Sequence, residues 1–225
     1  MIEAIVLFVL IVVISFFLAL RSMRDYQEVG NPAEYALFLI RKSAGLTEEL
    51  LDNLFDDLFQ KSQVLSLERL FKGQNSALTV FGPKDILLKY AQPLDLLELE
   101  DYTNLPEDRL TVWEVTLKNS APEDFSFASF PKLLPDEQFF WQLVFKGKKN
   151  KGEKVFLGQI RLAVVVPDSR RKQLISQLQN VNHLLKIPRP FSQIKMWQFY
   201  QQRSLENQKD NLILTAQQVI KLIML

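Results

Sequence analysis

The stretch Gly147-Lys148-Lys149-Asn150-Lys151-Gly152-Glu153-Lys154 brings two glycines and four lysines together in eight residues, a composition that invites phosphate. A Walker-type phosphate loop needs Lys and then Ser or Thr directly after its second glycine, between a strand and a helix. Here Glu153 holds the lysine position and extended segments lie on both sides, so that device is excluded. What remains is a basic tip, Lys146, Lys148, Lys149, Lys151 and Lys154, able to meet the phosphates of nucleic acid. The plainer reading is that these lysines keep a long hairpin loop soluble. Arg170, Arg171 and Lys172 fall in the first turn of a predicted helix, where the dipole disfavours cations; that placement suits an anion or an acidic partner. These eight residues are the candidates for anion or nucleic-acid contact.

Other chemistry is hard to assemble. His183 is the single histidine, and one imidazole with dispersed carboxylates makes neither a metal centre nor a triad. Glu98, Glu100, Asp101, Glu107 and Asp108 form an acidic segment at a strand end and a proline turn. Acid/base catalysis would need one carboxyl in an apolar pocket, and the pattern reads instead as a solvated loop. Phe139, Phe140 and Trp141 would stack bases only if exposed; beside a hairpin they read as core. The absence of cysteine removes disulfides, thiolate catalysis and Cys-type zinc sites. No cofactor, metal or catalytic residue is expected, and the chain reads as a non-enzyme.

The 225 residues are 48% hydrophobic and 24% charged, with a net charge of +1. That is enough chain for one or two domains, and no global field draws in nucleic acid or anionic lipid. From Ala4 to Leu20 the sequence is apolar apart from Ser15. With Met1 and Ile2 this reaches the length that crosses a bilayer as a helix. A cleaved signal peptide is the competing reading, but Glu3 replaces the usual basic start and Phe17-Leu18-Ala19 is a poor cleavage site. Arg21 and Arg24 follow the apolar run, so the positive-inside rule places the remainder in the cytoplasm, on an inner cell membrane, as a single-pass protein.

The rest must position whatever the chain does. Residues 1–24 are taken as the anchor, 25–34 as a linker, 35–105 as a first α+β domain and 106–225 as a second. Tyr35 to Ile40 reads as a strand. Thr47 caps a helix whose apolar face is Leu50, Leu51, Leu54, Phe55, Leu58 and Phe59; Asp52, Asn53, Asp56 and Asp57 form its solvated side. Strands over Val64–Phe71 and Ser76–Phe81 form a hairpin, a short helix follows Pro83 and ends at Pro93, and Leu94–Tyr102 gives another strand. The order βαββαβ is the ferredoxin-like pattern.

A looser copy follows. Thr111–Leu117 is its first strand, Gln138–Phe145 and Val155–Val166 its hairpin, and Pro167-Asp168-Ser169 the start of its helix. Ile194–Tyr200 is expected to be the returning strand, and Leu205–Leu225 a C-terminal helix. The fold class is therefore α+β: a transmembrane helix, two ferredoxin-like halves with the second degenerate, and a terminal helix.

Several segments carry a family resemblance. They are Tyr35-Ala36-Leu37-Phe38-Leu39-Ile40, Ala77-Leu78-Thr79-Val80-Phe81-Gly82-Pro83, Leu97-Glu98-Leu99-Glu100-Asp101-Tyr102, Trp141-Gln142-Leu143-Val144-Phe145, Gly158-Gln159-Ile160-Arg161 and the stretch from Leu212 to Ile220. In this order they resemble the N-terminal, non-motor region of conjugation-type, type IV secretion-like ATPases of small-genome bacterial lineages. In that family the last element precedes the nucleotide-binding motor. No Walker A or Walker B segment stands in these residues, so no ATPase residues carry over; the resemblance allows a separately encoded partner of a motor or the front part of a longer protein. It implies a membrane-anchored adaptor that binds a partner protein, with a motor ATPase as one such partner. The alternative is a membrane-tethered nucleic-acid binder using the basic hairpin.

Overall fold

The structure, a computed structural model, describes residues 35–103, 110–117, 127, 130, 132–181, 185–186, 193–205 and 211–224. It is α+β, built on an antiparallel sheet. Strand β1 (Tyr35–Ile40) leads to helix α1 (Glu48–Lys61), then to the hairpin β2 (Val64–Lys72) and β3 (Asn75–Pro83). Two short helices, α2 (Lys84–Leu87) and α3 (Ala91–Leu94), flank a 3₁₀ turn before β4 (Leu96–Leu99). The second half supplies β5 (Leu110–Leu117), the long hairpin β6 (Gln138–Asn150) and β7 (Glu153–Val165), helix α4 (Asp168–Val181) and β8 (Leu185–Lys186). Helix α5 (Gln193–Gln202), strand β9 (Leu212–Leu214) and helix α6 (Ala216–Lys221) follow.

The sheet runs β4-β1-β3-β2-β6-β7-β5-β8, with β9 added along β7. Numbered within its own half, each set of four strands reads fourth, first, third, second. The halves meet where β2 pairs with β6, antiparallel from Val64↔Lys146 to Lys72↔Gln138. Each half thus covers the other's exposed edge, and one hydrophobic core spans both.

Alternation along the strands sends Leu65, Leu67, Val80, Trp141, Leu143, Phe145, Ile160 and Leu162 to a front face, where α1, α6 and Leu174 of α4 complete the main core. Helix α1 forms as its sequence dictates. The Thr47 hydroxyl accepts the Leu50 amide at 3.2 Å, and Glu48 and Glu49 occupy the first turn. Ser62, in a left-handed conformation, closes it, with the Ser62 and Gln63 amides returning to Phe59 and Leu58. Before α1 the chain crosses Pro93 so closely that a Cβ on Gly45 would lie 2.1 Å from the Pro93 carbonyl oxygen. Gly45→Ala is therefore expected to cost about 1–3 kcal/mol, read as a lower melting temperature; an unchanged melt would mean the crossing relaxes freely.

Three expectations change. Ile194–Tyr200 lies in helix α5, not in a strand: Met196, Phe199 and Tyr200 recur at helical spacing and are buried together. The returning strand is the two-residue β8 instead. Residues 205–225 are not one helix, because Leu212–Leu214 joins the edge of β7 and Thr215 opens α6 with a reciprocal capping box with Gln218. The short helix after Pro83 is broken by the 3₁₀ turn Leu88–Tyr90, and Pro93 lies within α3. No helix among the described residues is long and apolar enough to cross a membrane; the anchor expected at residues 4–20 lies outside the described residues, as do His183, Glu107 and Asp108.

Candidate functional site

The back face of the sheet carries an unexpected row of polar side chains. Register places Thr79 opposite Glu68, Glu68 opposite Gln142, Gln142 opposite Arg161, and Arg161 opposite Glu114. The row crosses five strands of both halves, and all five residues are buried. Helix α5 covers it, seating Met196, Phe199 and Tyr200 against Leu110, Val112, Phe140, Ala163 and Val165.

Burying charge in this way needs compensation, and the end of α5 supplies it. The last carbonyls of a helix lack partners within it. Arg161 donates from Nη1 to the Phe199 carbonyl at 2.9 Å and from Nη2 to the Ser204 carbonyl. Gln142 Nε2 donates to the Tyr200 carbonyl at 3.0 Å and to Glu68 Oε1 at 3.1 Å. Arg203 closes the arrangement, with Nε on Glu68 Oε1 at 2.7 Å and its two Nη atoms on Asp101 at 2.8 and 3.1 Å. Its guanidinium lies 4.2 Å from the Phe81 ring centroid, a cation–π contact.

Burial alone would lower the affinity of Arg203 for its proton, but Glu68 and Asp101 together raise it above the ordinary arginine range. Burial likewise pushes the Asp101 carboxyl up, and the Arg203 hydrogen bond and charge, with the Thr103 amide, bring it below its usual value. Tyr200 is pushed well up, first by burial and then by Glu68.

Arg203 also occupies a left-handed backbone conformation, φ 50°, where glycine is the usual residue. The Arg203 amide returns to Tyr200 and the Ser204 amide to Phe199, so Arg203 both ends α5 and ties it to the first half. This is a strut. Its charged groups hold one another and the helix end, and among the described residues no group of three or more His, Asp or Glu could hold a metal ion.

The eight basic candidates do not form one surface. Arg170 pairs with buried Glu137 at 2.9 Å and Arg171 with Asp168 at 2.7 Å, which leaves Lys172 exposed. They lie beyond Val165, whereas Lys146–Lys154 surround the opposite end of β7, about 40 Å away at 3.3 Å per residue. Within the hairpin, alternation divides the lysines again. Lys149 and Lys154 face each other on the α1 side, Lys149 over the Phe59 ring at 5.2 Å and Lys154 over Phe55 at 5.7 Å. Lys154 also pairs with Asp56 at 2.7 Å. Lys146 and Lys148 take the other face, and burial together with the Lys148 charge lowers the pKa of Lys146. Lys151 forms the turn with Gly152. Phe139, Phe140 and Trp141 are buried, so they offer no stacking platform.

Comparison of the chain with models of known protein families and with curated proteins finds no match. The site is therefore read from its geometry alone.

The sheet ends at β4, whose outer edge has no strand partner among the described residues. Leu97 on that strand is 46% exposed, and Leu88, in the turn preceding α3, is 52% exposed. On the front face an aromatic recess of about 370 Å³ is lined by Phe71, Phe127, Phe130 and Phe139 with Lys132 and Gln74. No polar residue of the back-face row reaches it.

Proposed function

We propose that this chain is a non-catalytic, membrane-tethered assembly module that binds a partner protein at the β4 edge. The observation that carries the reading is the outer edge of β4, which has no strand partner among the described residues and bears the exposed Leu97. An edge strand can accept a further strand through its free N–H and C=O groups, with side chains giving specificity. The buried charges serve the fold rather than a reaction: Glu68, Arg161 and Arg203 are occupied in holding α5. On this reading each half is a ferredoxin-like unit, the strand order fourth-first-third-second being the signature of that pattern. Residues 4–20 anchor the chain in the inner membrane, with the sheet on the cytoplasmic side. The resemblance to the non-motor region of conjugation-type ATPases makes a motor ATPase of a secretion-like apparatus the partner to seek.

Crosslinking in native membranes, followed by recovery of the chain with and without nuclease, tests this. A nuclease-resistant protein partner is expected. Leu97→Lys should reduce its recovery about tenfold or more, since burying a leucine is worth about 1.5–3 kcal/mol, while leaving the melting temperature unchanged. Recovery of nucleic acid alone would favour the basic-hairpin alternative, against which stands the division of its lysines between two faces.

A further inference from the structure

The β6–β7 hairpin outruns its sheet. Pairing with β2 stops at Lys146 and pairing with β9 stops at Phe156, so residues 147–155 project as a two-stranded finger. Four lysines, Lys148, Lys149, Lys151 and Lys154, lie in it and Lys146 stands at its base, against Glu153 and Asp56. Lys148 and Lys149 are exposed on opposite faces, and Lys151 stands at the tip. At the base on one face is Phe59, 37% exposed, held close because residue 147 is glycine; a Cβ there would lie 3.1 Å from the Phe59 Cβ.

We propose that this finger dips into an anionic phospholipid headgroup layer, Lys148, Lys149 and Lys151 engaging phosphates from its two faces and its turn while Phe59 lies at the level of the interface. A lipid surface differs from the other polyanions in the geometry it demands. A headgroup layer surrounds an entering tip, so lysines on both faces and at the turn contribute together. A duplex offers a groove about 12 Å wide that admits a bare two-stranded ribbon, but here α1 backs one face of the ribbon through Phe55 and Phe59. Lysines beside an aromatic group at the water–lipid boundary are the usual interfacial pairing, and each lysine near an anionic surface multiplies affinity about fivefold. The inference rests on the membrane-tethered reading for its vesicle geometry, but not on the β4 docking edge.

The chain has no cysteine, so single probes can be placed cleanly. Full-length protein carrying Asn150→Cys in the finger, or Ser169→Cys at the far end of β7, is labelled with an environment-sensitive fluorophore. It is reconstituted into vesicles of phosphatidylcholine alone or with phosphatidylglycerol, containing a nitroxide-headgroup quencher. The Asn150 probe should be quenched several-fold more in the anionic vesicles, and the Ser169 probe equally little in both. Lys148→Glu and Lys149→Glu should each remove a substantial part of that quenching, and high salt nearly all of it. No extra quenching in anionic vesicles, or quenching indifferent to either substitution, overturns the proposal. So does a response to duplex DNA with none to anionic vesicles. Retention after a carbonate wash reports the tether separately: a chain that washes off while its finger still responds to added anionic vesicles refutes the anchor and keeps the finger.

Discussion

Arg203→Met is expected to lower the stability of the folded chain by about 3–5 kcal/mol, the cost of breaking a buried ion pair by removing one partner. Arg203 and Glu68 are each about 1% exposed and meet at 2.7 Å. Without the guanidinium, Glu68 keeps only the Ser66 hydroxyl at 2.8 Å and Gln142 Nε2 at 3.1 Å. Neither is charged, and neither can balance a buried carboxylate. Methionine preserves much of the volume, so the loss is electrostatic. The left-handed backbone at Arg203 works against this loss only weakly: Arg203→Gly would relieve strain worth about 1–2 kcal/mol yet still strand Glu68. Adding Glu68→Gln to Arg203→Met should restore a large part of the lost stability, because a neutral amide no longer needs a cation. Urea unfolding of Arg203→Met, Glu68→Gln and the double variant measures it; additive losses in the double variant would show that the pair is not coupled.

Asp101 adds a pH dependence to the same strut. Its folded pKa lies below the unfolded aspartate value of about 3.9. Its contribution is therefore fully present above that value and is lost as pH falls through the depressed folded pKa. Removing Arg203 takes away the larger of the influences that lower it and leaves only Thr103 to oppose burial, which raises it. Acid unfolding of Arg203→Met should accordingly begin at higher pH than in the parent chain.

The polar row explains which parts of this protein were legible in its sequence. Helix α1 was plain, because a capping threonine, acidic first turn and apolar face agree at every level. The hairpins were plain for the same reason, their alternation being interrupted at Gly73 and Gly152, both at positive φ. Thr79, Glu68, Gln142, Arg161 and Glu114 lay in the same alternation without showing that they form one buried row. On each strand the polar residue shares its face with apolar ones, Gln142 with Phe140 and Val144, Arg161 with Ala163 and Val165, so no strand by itself marks the row, and only the placement of α5 makes that face an interior. That helix was itself hidden. The apolar residues of Ile194–Tyr200 fit a short strand as well as one helical turn and a half, and tertiary contact with Phe140 and Ala163 decides between them. Had α5 been recognised, the row would have been the signal, since polar residues in register across five strands need a common partner. The basic candidates lie apart for a related reason: nearness along the chain concealed that a β-strand sends neighbours to opposite faces and separates its two ends by its whole length.

Trp141→Ala should be comparably damaging, at about 3–5 kcal/mol, and a conservative variant can divide that cost between its causes. The indole is fully buried at the centre of the front face, with Phe127 and Phe130 edge-on at 5.8 and 5.7 Å. Its Nε1–H donates to the Leu222 carbonyl at 2.8 Å, and beside it Arg69 Nε donates to the Ile223 carbonyl at 3.1 Å. These carbonyls lie at the end of α6, a helix of six residues that is too short to persist on its own propensity. Its capping box secures the start, and Trp141 and Arg69 secure the end. Trp141→Phe keeps most of the apolar contact but removes the donor, leaving a buried carbonyl unpaired at about 1–3 kcal/mol. Because the lost bond holds only α6, amides of residues 219–224 should exchange faster in Trp141→Phe while those of β6 and β7 remain protected. Uniformly faster exchange across the sheet would instead mean that the ring, rather than its hydrogen bond, holds α6 in place. The distinction bears on the architecture as a whole. On the front face the tie between the halves and the terminal helix is aromatic and apolar, and on the back face it is ionic, so acid should release α5 before α6.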